Sequence, residues 1–151
     1  MLHIFIDADA CPVKDEVYRV AQRYGLAVTL VANSRMRVPK EEWLHLEVVP
    51  GGFDAADDFI AEHAWQDDIV ISADIPLAAR CLKNGAYVLG STGRPFTEDN
   101  IGSALATREL LSGLRDLGEI GGGPLPFSKR DRSLFLQELD KMIQAIRRKQ
   151  G

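Results

Sequence analysis

Two aspartates close the first apolar run of the chain: "IFIDADACPVK" carries Asp7 and Asp9, then Cys11 and Pro12. A buried strand has no use for carboxylates at its end, because burying an unpaired charge is costly. A cation site does have a use for them. A third acid, Asp74, ends the run "VISAD" in the same manner. A fourth comes from "FDAADDFIAEHA", which reads as a helix. At about 100° per residue, Phe53, Ala56, Ile60 and Ala64 share one face, and Asp57 falls about 40° from Phe53 on its flank. Asp54 and Asp58 point further toward solvent.

Three or more carboxylates around one point form a hard-oxygen site suited to Mg²⁺ or Mn²⁺. Such a site leaves coordination positions for phosphate oxygens, and two ions there activate water and stabilise the leaving oxygen of a phosphodiester. The expected set is Asp7, Asp57 and Asp74 as catalytic ligands, with Asp9 assisting. Each acid also has a plainer use. Asp9 suits a cap of the first helix, and Asp74 a cap of "IPLAARCL". Asp54 suits a cap as well, and Asp67 and Asp68 a turn.

Cys11 offers a different chemistry, since a thiol at a helix start can become a nucleophile. No histidine stands near it in the pattern: His3 lies in the first strand, His45 opens the third and His63 is on a helix. Val17 occupies the position where a C-x5-R loop needs arginine. Packing is the expected role of Cys11, and Cys81 in "LAARCL" reads as a small core residue.

The elements that must hold these acids alternate. "LHIFIDA", "LAVTLVA", "LHLEVV", "DIVIS" and "AYVLG" read as strands. Helices are expected at about residues 12–24, over "FDAADDFIAEHA" and "IPLAARCLKN", and at about 98–116. Gly25 and Gly85 stop two of them. The pattern predicts an α/β fold of three layers, with a mostly parallel five-stranded sheet between helices. Ligands of such sheets bind outside the carboxyl ends of the strands, where Asp7, Asp9 and Asp74 stand. "DLGEIGGGPLPF" is too rich in Gly and Pro for regular structure. A last amphipathic helix, about 128–149, shows the stripe Phe135, Leu139, Met142, Ile143 and Ile146 and is expected to dock on the body.

The 151 residues, 46% hydrophobic, suit one domain over residues 1–151. No apolar run approaches the ~20 residues of a membrane span, and "MLHIFIDADACP" lacks the basic start of a signal peptide. The expected location is the cytoplasm. No CxxC or HExxH spacing is present. The net charge of −4 is uneven. From Ser128 onward seven Lys/Arg face three Asp/Glu, a net +4 that leaves −8 on the remainder. That fits a basic lip beside an acidic pocket, or a solvated helix face.

Together "DADACP", "VAN", "GFDAAD", "DIVISADIPLA", "GGP" and "KRDR" resemble the YaiI/YqxD family of bacterial proteins, over nearly the whole chain. That family is grouped with PIN-like domains, whose best-known members are metal-dependent ribonucleases. The resemblance implies a sheet order near 3-2-1-4-5, which makes the first and fourth strands neighbours. Carried onto this sequence, it implies ligand roles for Asp7, Asp57 and Asp74, with Ser72 in the hydroxyl place. Two features depart from the pattern. The helix acid is Asp where Glu is common, and "IPLAA" supplies no further acid after Asp74, for which Glu98 or Asp99 could substitute.

Basic residues fit a phosphate-binding role. Arg35, Arg37 and Lys40 follow the second strand, and Arg94 follows the fifth beside Ser91, Thr92 and Gly93. Lys129, Arg130 and Arg132 open the last helix, where cations oppose the dipole and can reach a nucleic-acid backbone. The leading expectation is a Mg²⁺- or Mn²⁺-dependent nuclease or phosphodiesterase acting on RNA. A haloacid-dehalogenase-type phosphatase would use Asp7 as nucleophile and Asp9 as acid/base, but needs a downstream lysine and a later acidic pair. The other alternative is a non-catalytic PIN-like module that binds RNA or a protein.

Overall fold

The computed structural model describes residues 2–9, 11–116 and 127–150; the side chains of Phe53 and of residues 108–116 are outside that description. The Gly/Pro-rich segment expected to lack regular structure lies mostly outside it as well.

The fold is α/β. Among the described residues, β1 (His3–Asp7), β2 (Ala27–Ala32), β3 (Leu44–Val48), β4 (Ile69–Ile71), β5 (Tyr87–Leu89) and β6 (Pro95–Phe96) form one sheet. Its order is β3-β2-β1-β4-β5-β6, parallel except for the antiparallel β5–β6 pair. The sheet is therefore mixed and six-stranded, not five-stranded. The extra strand is two residues long and contains a proline, which an edge strand tolerates and a central one does not. β1 and β4 are neighbours, with Ile4 opposite Ile69 and Ile6 opposite Ile71.

Alternation along the strands divides the apolar side chains between two faces. Ile4, Ile6, Leu30, Ile69, Ile71 and Leu89 meet α1 (Lys14–Tyr24) and α5 (Lys129–Gln150). Phe5, Val31, Val70 and Val88 meet α2 (Phe53–His63) and α3 (Ile75–Lys83), with Ile101 of α4 (Glu98–Asp116) against them. Asp7 is two residues from Phe5, and Ser72 two from Val70, so both belong to the α2/α3 face. The same period that buries Phe5 thus delivers Asp7 to the side where Asp57 and Asp74 arise.

α1 begins at Lys14 rather than Pro12; its Val13 N-cap makes no side-chain bond. Gly25 ends it with φ +67°, the left-handed turn glycine adopts without strain. α5 runs parallel to α1. Arg132 Nε lies 3.1 Å from Glu16 Oε1, Tyr24 bonds Asp140, and both pairs are offset by 116 positions. Phe135, Leu139, Ile143 and Ile146 are fully buried, and α5 packs on the sheet through this stripe, with Met142 at its margin. The start of α5 is a reciprocal cap: Ser128 Oγ accepts from Asp131 N at 3.1 Å, and Asp131 Oδ2 from Ser128 N at 3.0 Å. That cap and the Glu16 pair offset the unfavourable placement of cations there.

Candidate functional site

Asp7, Asp9, Asn33, Ala56, Asp57 and Asp74 line one cleft of about 350 Å³ at the carboxyl edge of β1, β2 and β4. A smaller recess of about 180 Å³ adjoins it, sharing Asp7, Asp9 and Asp74 and adding Cys11, Ser72 and Ser91. Among the described residues lining the larger cleft, four of six are carboxylic acids and none is basic.

Each acid is held by its own element. Asp7 Oδ2 accepts the Ser72 hydroxyl at 3.0 Å, and Ser72 Oγ accepts Asp74 N at 3.0 Å. This chain ties the end of β1 to the turn after β4. Asp74 caps α3, its Oδ1 accepting from Leu77 N at 2.9 Å, with Pro76 in the first turn where a missing N–H costs nothing. Asp9 does not cap α1. Its Oδ2 reaches Asn33 N at a long 3.4 Å, at the end of β2. Asp57 sits on α2 one residue after the buried Ala56.

The electrostatics follow from crowding. Burial raises the Asp7 carboxyl above its ordinary range, the nearby Asp74 and Asp9 raise it further, and the Ser72 hydroxyl opposes the rise. Asp57 is pushed up from 3.8 to about 6, first by burial, then by Asp74, Asp7 and Asp54, with Arg80 opposing. Arg80 is itself bonded to Asp58 at 2.8 Å. The described lining of the cleft thus gathers four carboxyls with no basic side chain among them.

Among the described residues, no group of three or more His, Cys, Asp or Glu side chains stands close enough to hold a metal ion. The acids share a cleft without converging on a point. The hydrogen bonds explain why: Asp7 is drawn to Ser72, Asp74 to the α3 backbone and Asp9 to the β2 end. Their chemistry nevertheless fits a hard cation, being carboxylate oxygens only. Asn33 adds a buried side-chain oxygen, Oδ1, with no hydrogen-bond partner.

The family model described as "Uncharacterized BCR, YaiI/YqxD family" matches residues 5–145. The chain belongs to this family. A UPF0178 protein of Rhodospirillum centenum is 57% identical, covering 98% of this chain and 99% of its own. Another, from Parvibaculum lavamentivorans, is 56% identical over 99% of this chain and 98% of its own. One from Bradyrhizobium is 53% identical, over 98% and 90%.

The remaining expected residues scatter around the cleft of this family member. Ser91 reaches the recess. Thr92 and Arg94 are exposed, and Arg94 lines a separate cleft. Arg35, Arg37 and Lys40 are exposed beyond the end of β2, and Lys129 and Arg130 at the start of α5. Arg132 is engaged: besides pairing with Glu16, its guanidinium lies 5.6 Å from the Phe127 ring centre. Gly93 (φ +86°) brings the loop onto α5, where an added Cβ would meet Leu134 at 2.9 Å. That contact and the Glu16 pair place the basic start of α5 at the same sheet edge as the acids.

Glu98 and Asp99 open α4 and line neither acidic space. Lys83, the lysine a haloacid-dehalogenase chemistry would need, is exposed at the last position of α3. Cys11 packs against the α1-side core, and burial raises its thiol pKa, which opposes use as a nucleophile. Cys81 is fully buried, its pKa pushed up to about 12 by burial. Asn33 went unrecognised as a site residue. Its signal was position: it is the first polar residue past the apolar run of β2.

Proposed function

We propose that this protein is a divalent-cation-dependent phosphodiesterase of PIN-like type, acting on RNA in the cytoplasm. The observation that carries the reading is the shared cleft of Asp7, Asp9, Asp57 and Asp74, in which burial and mutual repulsion raise two of the carboxyls. These carboxylates could share a divalent cation, which would relieve their repulsion and could take phosphate oxygens as further ligands. Mg²⁺ or Mn²⁺ would be held by Asp7, Asp57 and Asp74, with Asp9 assisting. When bound, it supplies charge neutralisation and an acidified water.

The chain's own groups do the rest. Ser72 orients the Asp7 carboxylate through its hydroxyl. The α3 N-terminus steadies Asp74. Arg35, Arg37, Lys129 and Arg130 hold the RNA backbone at the rim.

A second reading is a binding module that recognises RNA without cleaving it. It is favoured by the absence, among the described residues, of a ready three-ligand group. Calorimetric titration of metal-free protein with Mn²⁺, beside Asp74→Asn, separates the two. Asparagine keeps the α3 cap and removes the charge. Binding that is lost in the variant, followed by Mn²⁺-dependent cleavage of RNA that Asp7→Asn abolishes, supports the enzyme. RNA binding with no Mn²⁺ uptake and no cleavage refutes it and leaves the module.

A further inference from the structure

A separate cleft of about 430 Å³ opens between β6 and α4, lined among the described residues by Ile75, Arg94, Pro95, Phe96, Asn100, Ala104 and Thr107. We infer that it binds the nucleobase of a nucleotide whose phosphate is held by Arg94 on the side of the acidic cleft. The inference rests on the phosphodiester reading for the remainder of the substrate.

Four observations on the page lead there. The first is continuity. Ile75, which lines this cleft, directly follows Asp74, which lines the acidic one. The turn from Gly90 to Arg94 stands between the two spaces, closed by Gly90 N to Arg94 O at 2.9 Å and Gly93 N to Gly90 O at 3.0 Å. Ser91 on this turn lines the acidic recess and Arg94 the other cleft.

The second is charge. Among the described residues lining this cleft, Arg94 is charged and none is an acid. An anion is therefore admitted where the neighbouring cleft repels it. The third is shape and polarity. Phe96, Pro95, Ile75 and Ala104 give apolar surface that includes a half-buried aromatic ring. Phe96 packs over Gly90, 3.7 Å from where a Cβ would stand, which fixes the ring without a side chain beneath it. A volume of about 430 Å³ lies in the range of small-ligand sites.

The fourth is a polar edge held in place. Asn100 Oδ1 accepts from Thr97 N at 2.9 Å and its Nδ2 donates to Pro95 O at 3.1 Å. An amide carries two N–H and two oxygen lone pairs, so one of each remains for the edge of a heterocycle. Flat apolar surface, a preset amide and a cation beside them are what a nucleotide requires.

The test uses the whole chain with no added divalent ion. It is titrated with AMP, with ribose 5-phosphate and with a four-nucleotide oligoadenylate, and followed by calorimetry and amide NMR. AMP is expected to move the amide signals of Phe96, Asn100 and Ala104. It should bind roughly tenfold more tightly than ribose 5-phosphate, the increment of one stacked base. Ala104→Trp fills the cleft from α4 and should erase that difference. Phe96→Leu keeps the packing over Gly90, removes the flat ring and serves if the first variant does not fold. Asp57→Asn should leave AMP binding intact, so loss of RNA cleavage and loss of ring binding are read independently. Tighter binding of the oligoadenylate assigns the cleft to a nucleotide within a chain, and equal binding to a free one; both support a ring site. AMP and ribose 5-phosphate binding alike, no AMP binding at millimolar concentration, or undiminished AMP binding in both variants would overturn it.

Discussion

Replacing Asp57 by asparagine should stabilise this protein at neutral pH while removing a residue of its candidate site. The folded carboxyl has a pKa near 6 against an ordinary 3.8, so the folded state holds its proton more tightly than the unfolded chain. Between these values the native state binds more protons, and stability falls as pH rises through that window. Above it the penalty is complete; below 3.8 it is absent. Full expression of the difference would be about 3 kcal/mol. Solvent reaches Asp57, whose neighbouring charges are partly screened, so about 1 kcal/mol is the expected size. Asparagine has nearly the same shape and no charge. Urea denaturation in the presence of a chelator, near pH 4 and near pH 7.5, measures the effect. The variant should be more stable by about 1 kcal/mol at the higher pH, with most of that gain gone at the lower. A variant less stable than wild type at neutral pH, or a difference independent of pH, would refute the claim that burial, reinforced by Asp74 and Asp7, disfavours the charged Asp57 carboxylate.

Two further outcomes follow from the same geometry. Asp74→Ala should lower stability by about 1 kcal/mol through loss of the α3 cap, whereas Asp74→Asn should keep it; urea midpoints that fall equally in both would show that the bond to Leu77 N is not what matters. Arg132→Met should cost about 1–2 kcal/mol by leaving the buried Glu16 carboxylate without its partner, and adding Glu16→Gln should recover part of it. Strict additivity in this double-mutant cycle would mean that the pair contributes nothing to joining α1 and α5.

The sheet was legible because period and punctuation agree. Strands one to five follow from their apolar runs, and α1 and α3 from Gly25 and Gly85. β6 was not, because two residues carry no period and Pro95 argues against a strand wherever neighbours are unknown. The adjacency of β1 and β4 came from resemblance. Local pattern places Asp7 and Asp74 each at a strand end but cannot say which strands pair. Asp57 was legible by helical angle alone. What the pattern could not supply was orientation. Asp9 reads as an assisting ligand with a helix cap as its plainer use, and its reach to the Asn33 backbone depends on how β2 ends beside β1. Asp74 proved to be both a lining residue and a cap, a pairing of roles that a choice between them excludes.

The basic C-terminal segment shows how a charge count misleads without topology. Its net +4 belongs to a helix that runs from one sheet edge to the other. Lys149 bonds Asp67 at 2.7 Å, before β4 and far along the helix from Arg132. Arg147 lies over the Tyr24 ring at 5.4 Å, at the end of α1. Those cations serve the edge opposite the acids. At the acidic edge Arg132 is committed to Glu16, and Lys129 and Arg130 are the α5 cations left exposed beside the loop at Gly93. The lip inferred from composition is therefore two residues wide on this helix. Among the described residues, a phosphate backbone crossing the cleft would find further countercharge in Arg35, Arg37 and Lys40 on the far side of β1, in Arg94 across the Gly90–Arg94 turn, and in Lys14, whose Nζ donates to Ala8 O at 3.3 Å. On the reading proposed above, an RNA strand held by both sets would pass over Asp7, whereas a strand held by α5 alone would not need to. Salt dependence of RNA binding that responds to Arg35 and Arg37 as strongly as to Lys129 and Arg130 is the signature of that crossing path.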